Sequence, residues 1–135
     1  MPTCTFNVDS DDALYITAII KNPNTGAECR ADAAIDTGLD LTSIESSIAK
    51  KLELPFQDVT EMQSMGSSYK SNIYTANVAF QFDEGIRVNL GEYCITDGLN
   101  TSVECLIGRD ILCCGLLIYN GKDEYFTLSF DSMSN

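Results

Sequence analysis

The sequence predicts a mostly-β domain, a closed or sandwiched barrel with one or two short helices. Runs rich in β-branched and aromatic residues recur along the chain, from residues 14–20 to "IRVNLGEYCIT". Dense turn chemistry separates them, as in "NPNTG" and in Asn120-Gly121. The clearest helical spacing lies in "TSIESSIAKKLELP". Eight or so short strands punctuated this way suit a barrel.

Taken in order, residues 1–12 are polar and acidic and read as a loose start or a short edge strand. Leu14–Ile20 and Glu28–Ile35 form a hairpin around "NPNTG", with small alanines near the end of the second strand. In "TSIESSIAKKLELP", Ile44, Ile48 and Leu52 make one apolar stripe. A Ser or Thr ahead of the run is expected to cap the helix, and Pro55 follows its end. Residues 56–72 are polar and read as a loop or a hairpin tip around Gly66. "IYTANVAFQF" and "IRVNLGEYCIT" are strands flanking Glu84-Gly85, and "DGLNTS" is a loop. "VECLIGRDIL" is an apolar strand that ends at Gly108 and turns into a short helix. "LLIYNGKDEYFTLSF" is a hairpin turned at Asn120-Gly121. No repeat, linker or low-complexity segment interrupts residues 1–135, which are read as one domain.

Composition narrows the chemistry. The net charge is −12, from 20 acidic and 8 basic residues. Such a chain repels phosphate backbones and anionic membranes, so neither nucleic acid nor membrane is an expected partner. Two copies would also repel each other, and a dimer is expected to tighten as salt screens that repulsion. There is no histidine. Its absence removes Ser-His and Cys-His nucleophiles, His-ligated zinc, and imidazole acid–base catalysis at neutral pH. The six cysteines, Cys4, Cys29, Cys94, Cys105, Cys113 and Cys114, show no C-x-x-C spacing. "MPTCTFNVDSDDALY" lacks the basic and apolar regions of a signal peptide. The thiols are therefore expected free and mostly packed as small hydrophobes, in a reducing, cytoplasmic setting. The adjacent pair Cys113-Cys114 is read as one buried and one half-exposed thiol.

Chemistry concentrates in "AAIDTGLDLTSI". An apolar strand runs straight into Asp36, and Thr37-Gly38 follow at once. Asp and Gly are poor strand residues, so the strand either turns here or presents a carboxylate. A hydroxyl-rich stretch follows, and downstream a second apolar strand ends in glycine, "LIGRDIL".

Together these residues resemble the retropepsin-like aspartic proteases. The closing "LIYNGKDEYFTLSF" is more similar to their bacterial than to their viral members. The likeness spans roughly residues 14–130. It implies a small closed acid-protease barrel with one D-T-G per chain, and an aspartic endopeptidase that uses no metal or other cofactor. Its hydrolysis needs two carboxyl groups sharing one proton, one activating water and one serving the substrate carbonyl. "ITDGL" has the wrong order and "DSMSN" lacks the glycine, so one chain supplies half a dyad. The resemblance thus implies a homodimer in which Asp36 of each copy meets on the two-fold axis. By matching position, Thr37 would hydrogen-bond across that axis. Gly38 would bring its N–H to the carboxylate, and Asp40 and Arg109 would pair, buried or half-buried, to tie the loop to the segment after Gly108; the alternative is a surface pair of little value. Leu39, Met65, Gly66 and Ser67 are candidates to line the substrate or form a flap. Leu39 departs from the small residue usual after D-T-G and would narrow a subsite. Two further readings remain open. One is a catalytically weak or inactive dimerisation or peptide-binding module. The other is a ligand-binding barrel with D-T-G as a plain turn.

Overall fold

The computed structural model describes residues 1–64, 66–99 and 101–133. Along the chain come β1 (Thr3–Asn7), β2 (Tyr15–Lys21), β3 (Glu28–Ile35), β4 (Ser43–Ile44) and α1 (Ser46–Leu52). Then follow β5 (Phe56–Ser64), β6 (Ser67–Gln81), β7 (Arg87–Thr96), β8 (Cys105–Ile107), α2 (Arg109–Leu112), β9 (Leu116–Asn120) and β10 (Tyr125–Ser129).

Six strands close a barrel in the order β2-β3-β8-β4-β7-β6, and β6 returns to pair with β2. The 15 residues of β6 make this closure possible. Its first half pairs with β5, and its second half is shared between β7 and β2. A separate sheet, β1-β10-β9, joins the two ends of the chain. The barrel core holds Ile20, Ile44, Phe80, Ile95 and Ile107, each with 0% exposure. Phe130 links this core to the terminal sheet, its ring edge-on to Phe80 at 5.4 Å. Gly115 lies so close to Phe130 that a Cβ there would sit 2.4 Å from the ring. The terminal sheet packs through Phe6, stacked on Phe126 at 5.1 Å.

Local chemistry explains the elements and corrects three expectations. In the β2–β3 turn, Asn22 Oδ1 accepts the N–H groups of Asn24 and Thr25, which is turn chemistry. Asn22 is also buried, and its Nδ2 donates to the carbonyls of Leu52 and Glu53 at 2.9 Å. It thereby satisfies two orphan carbonyls at the end of α1. The helix itself is shorter than its apolar stripe suggests. Ile48 and Leu52 lie on it, but Ile44 belongs to β4, where pairing with Cys105 in the barrel outweighs local helical spacing. The N-cap is Glu45, with no side-chain cap, in place of the expected Ser or Thr. The β9–β10 hairpin does not turn tightly at Asn120-Gly121. Asn120 pairs with Tyr125 across a four-residue loop, Asn120 Oδ1 accepts the Asp123 N–H at 2.9 Å, and Glu124 takes the positive φ of 60°.

The six cysteines are free thiols in three environments. Cys4 and Cys105 are buried and Cys29 is half-buried, while Cys94, Cys113 and Cys114 are exposed. The adjacent pair is thus exposed at both positions, because α2 spans only four residues and turns just Ile111 fully inward. Burial pushes the Cys105 and Cys29 thiols up from their ordinary value. At Cys113 the hydrogen-bonding neighbour Cys114 is the main cause of an upward shift. A thiol reagent at pH 8 is expected to modify the exposed Cys94, Cys113 and Cys114 in the folded protein, with Cys113 slowed by its upward shift. Cys4 and Cys105 should react only on unfolding, as mass spectrometry of the labelled peptides would show.

Candidate active site

The site begins where two parallel strands stop at the same level. Ile35 of β3 is in register with Ile107 of β8, so Asp36 and Gly108 are the next residues on adjacent strands. The Asp36 N–H donates to the Ile107 carbonyl at 2.9 Å, which extends the ladder by one step. The chain then turns. Leu39 N–H donates to the Asp36 carbonyl at 3.2 Å, and Gly38 N–H donates to Asp36 Oδ1 at 3.0 Å. Asp36 is half-buried, whereas Thr37 and Gly38 are exposed. The result is a carboxylate at a strand end, oriented by a backbone donor.

Topology fixes this loop. β3 and β4 are consecutive in the chain, but β8 lies between them in the sheet. Residues 36–42 must therefore pass over the end of β8. That passage explains Gly108, where a Cβ would lie 2.8 Å from the Leu39 carbonyl oxygen and 3.2 Å from the Thr42 nitrogen. Both atoms are backbone and have little freedom to yield. Thr42 pins the crossing from below. It is fully buried, and its hydroxyl donates to Asp110 Oδ1 at 2.8 Å while accepting the Gly108 N–H at 3.0 Å. Its N–H donates to both Asp110 oxygens at 3.1 Å, and its carbonyl accepts the Thr96 N–H. Sequence reasoning missed both Thr42 and Asp110. The signal available was the hydroxyl-rich "LTSIESS" and the acid in "LIGRDIL".

Arg109 braces the loop from outside. Its backbone N–H donates to the Leu39 carbonyl at 2.8 Å and its guanidinium donates to the Thr37 carbonyl at 3.0 Å. The same guanidinium forms an ion pair with Asp40. The pair is neither buried nor half-buried but lies on the surface, the alternative reading: the side chains are 56% exposed at Arg109 and 82% at Asp40. In a single chain such a pair adds little stability. Leu39 is half-buried, its main chain engaged at both ends.

Residues 56–81 form one long hairpin, β5 against β6, with Ser64 opposite Ser67. Met65 lies outside the described residues. Gly66, at φ +82°, sits in the turn facing open space, where an added Cβ would meet nothing within 4 Å. Ser67 is exposed. Two tyrosines fasten the β6 arm to the loop after β7. Tyr69 donates its hydroxyl to the Gly98 carbonyl at 2.8 Å, and Tyr74 donates to Asp97 at 3.3 Å. The Asn72 N–H donates to the same Asp97 carboxylate at 2.9 Å. Among the described residues no hydrogen bond joins the hairpin tip to the Asp36 loop.

A solved structure shares this architecture. A retropepsin-like aspartic protease from Rickettsia conorii superposes with a TM-score of 0.66 at 15% identity, covering 96% of this chain and 91% of that one. The fold is retropepsin-like. Simian foamy virus protease matches at a TM-score of 0.45 and 16% identity over 74% of this chain and 92% of that one. EIAV protease, solved with an inhibitor, matches at 0.47 and 15% over 80% and 92%. No family model and no curated protein matches the sequence. Within this retropepsin-like fold, Asp36 occupies the end of a barrel strand and Gly108 the tight crossing beside it.

Substitutions separate the buried pin from the exposed brace. Thr42→Val leaves the Gly108 N–H and part of the Asp110 carboxylate unsatisfied and is expected to cost about 2–3 kcal/mol. Gly108→Ala should destabilise by at least a comparable amount through backbone overlap. Asp40→Ala should leave stability within experimental error. Urea denaturation of the three variants checks the ranking.

Proposed function

We propose that two copies of this chain form an aspartic endopeptidase whose dyad is Asp36 from each. The observation that carries this reading is the setting of Asp36. It is a lone carboxylate at a rigid strand end, held by the Gly38 N–H and braced by Arg109 and the Thr42–Asp110 pin, in a retropepsin-like fold. In the dimer the two carboxyls stand about 3 Å apart and cannot both ionise, so they share one proton. The ionised one takes a proton from a bound water as its oxygen attacks the scissile carbonyl carbon. The other gives its proton to the carbonyl oxygen. Collapse of the tetrahedral intermediate breaks the C–N bond and hands a proton to the leaving amine. Thr37, exposed at the loop apex, hydrogen-bonds across the axis. Leu39 narrows the adjoining subsite, and the β5–β6 hairpin, with Met65, Gly66 and Ser67 at its tip, closes over the substrate and excludes water.

A second copy has a surface to meet. β9 follows α2 directly and is an outer strand of the terminal sheet. Leu116, Ile118 and Tyr119 on it are 51%, 50% and 54% exposed. An open edge with apolar side chains supports strand pairing with a copy of itself.

Asp36→Asn is expected to abolish peptide cleavage while the protein stays folded and dimeric. Cleavage that survives would remove Asp36 from the role. A pepstatin-type inhibitor should raise the melting temperature of the native protein but not of the Asn variant. No inhibitor effect together with no cleavage of any peptide library would leave the non-catalytic dimerisation module. The rate should fall as pH rises toward 9, where the shared proton is lost. By light scattering, the dimer should strengthen between low and moderate salt.

A further inference from the structure

A large open groove lies away from the Asp36 loop. It has a volume of about 630 Å³ and runs between β1, the start of β2, the end of β6 and the loop entering β8. Phe6, Phe82 and Val103 supply its apolar surface, and Asp32, Asp83, Glu84 and Glu104 surround them. No lysine or arginine is among its lining residues. Arg30 touches one end only, donating to Gln81 Oε1 at 3.4 Å. Two of the carboxylates have local partners: Glu104 accepts the Asp32 N–H at 2.8 Å, and Asp83 accepts the Cys4 thiol at 3.4 Å. Among the described residues, none of the four forms a salt bridge. The groove is therefore a concave apolar surface ringed by four carboxylates outside any salt bridge, with Arg30 and Lys51 near Glu104 on its far side.

We propose that this groove docks a basic peptide segment of a partner protein, one that alternates lysine or arginine with aliphatic or aromatic residues. Charge complementarity selects the cations, which meet four carboxylates with no lysine or arginine among the lining residues. The apolar surface selects their neighbours. The volume is several times that of one side chain, and β1 is the outer strand of its sheet, so an extended segment suits the groove better than a small amine. Its position gives the docking a direction. Asp32 and Glu104 lie on β3 and the approach to β8, each four residues ahead of Asp36 and Gly108 respectively. At about 3.3 Å per residue, a segment held in the groove is about 13 Å from the Asp36 loop along those strands. Docking itself needs nothing from Asp36.

The test is fluorescence anisotropy with a labelled octapeptide alternating leucine and lysine. It is expected to bind the native protein and the Asp36→Asn variant equally, so failure of the protease reading leaves this result untouched. The double variant Asp32→Asn/Glu84→Gln removes two exposed groove charges and should weaken binding about tenfold. Glu61→Gln/Glu92→Gln makes the same change in net charge on exposed positions outside the groove and should weaken it less than about twofold. An octapeptide alternating glycine and lysine should bind at least about tenfold more weakly than the leucine peptide. Equal losses in the two double variants would reduce the attraction to diffuse charge and overturn the proposal. Equal binding of the glycine peptide would overturn it as well.

Discussion

The loop that carries Asp36 depends on one crossing. Because β8 is inserted between β3 and β4, the chain must travel over the end of its neighbour to reach the next strand. Such a passage would leave buried amides without partners if nothing met them. Thr42 and Asp110 meet them. One hydroxyl and one carboxylate engage the Gly108 N–H, the Thr42 N–H and the Ile111 N–H together. The crossing is held at backbone distance because residue 108 has no side chain. The exposed apex, Thr37 and Gly38 included, rests on this buried crossing and on the exposed guanidinium of Arg109.

This arrangement divides labour by burial. The Thr42–Asp110 contacts join a buried hydroxyl to a half-buried carboxylate, where a satisfied network stiffens its surroundings and an unsatisfied member is costly. The Arg109–Asp40 pair lies in water and contributes orientation more than stability. Arg109 gains its importance from its other bonds, to the carbonyls of Thr37 and Leu39, which hold both ends of the turn. Pin and brace act on the same few residues from opposite sides of the crossing.

Much of this was legible in the sequence, and the failures share a cause. β2, β3 and the β6–β7 pair announce themselves through β-branched residues whose partners also lie in strands. The strand end at Asp36 could be read because an apolar run stops there on Asp-Thr-Gly. Ser43 and Ile44 could not, because their strand state comes from pairing with Cys105 and Leu106, remote in sequence. Ile44 continued a helical stripe only by coincidence of spacing. The length of the β5–β6 hairpin was hidden by its polarity: β5 stands outside the barrel and buries little, so it carries no hydrophobic alternation. Asn120-Gly121 misled in the opposite way, since a strong turn dipeptide was used inside a wider loop. The exposure of Cys113 and Cys114 followed from a helix too short to turn a second face inward.

The terminal sheet also bears on the acidity of the chain. An outer strand showing leucine, isoleucine and tyrosine to water is an open template, ready to pair with whatever extended segment arrives. A surplus of twelve negative charges repels a second copy, with a reach of about 10 Å in ordinary salt. Repulsion therefore acts mainly at close approach, and two edges pair only where strand hydrogen bonds and apolar burial outweigh it. In this protein, surface charge serves as a guard against indiscriminate aggregation.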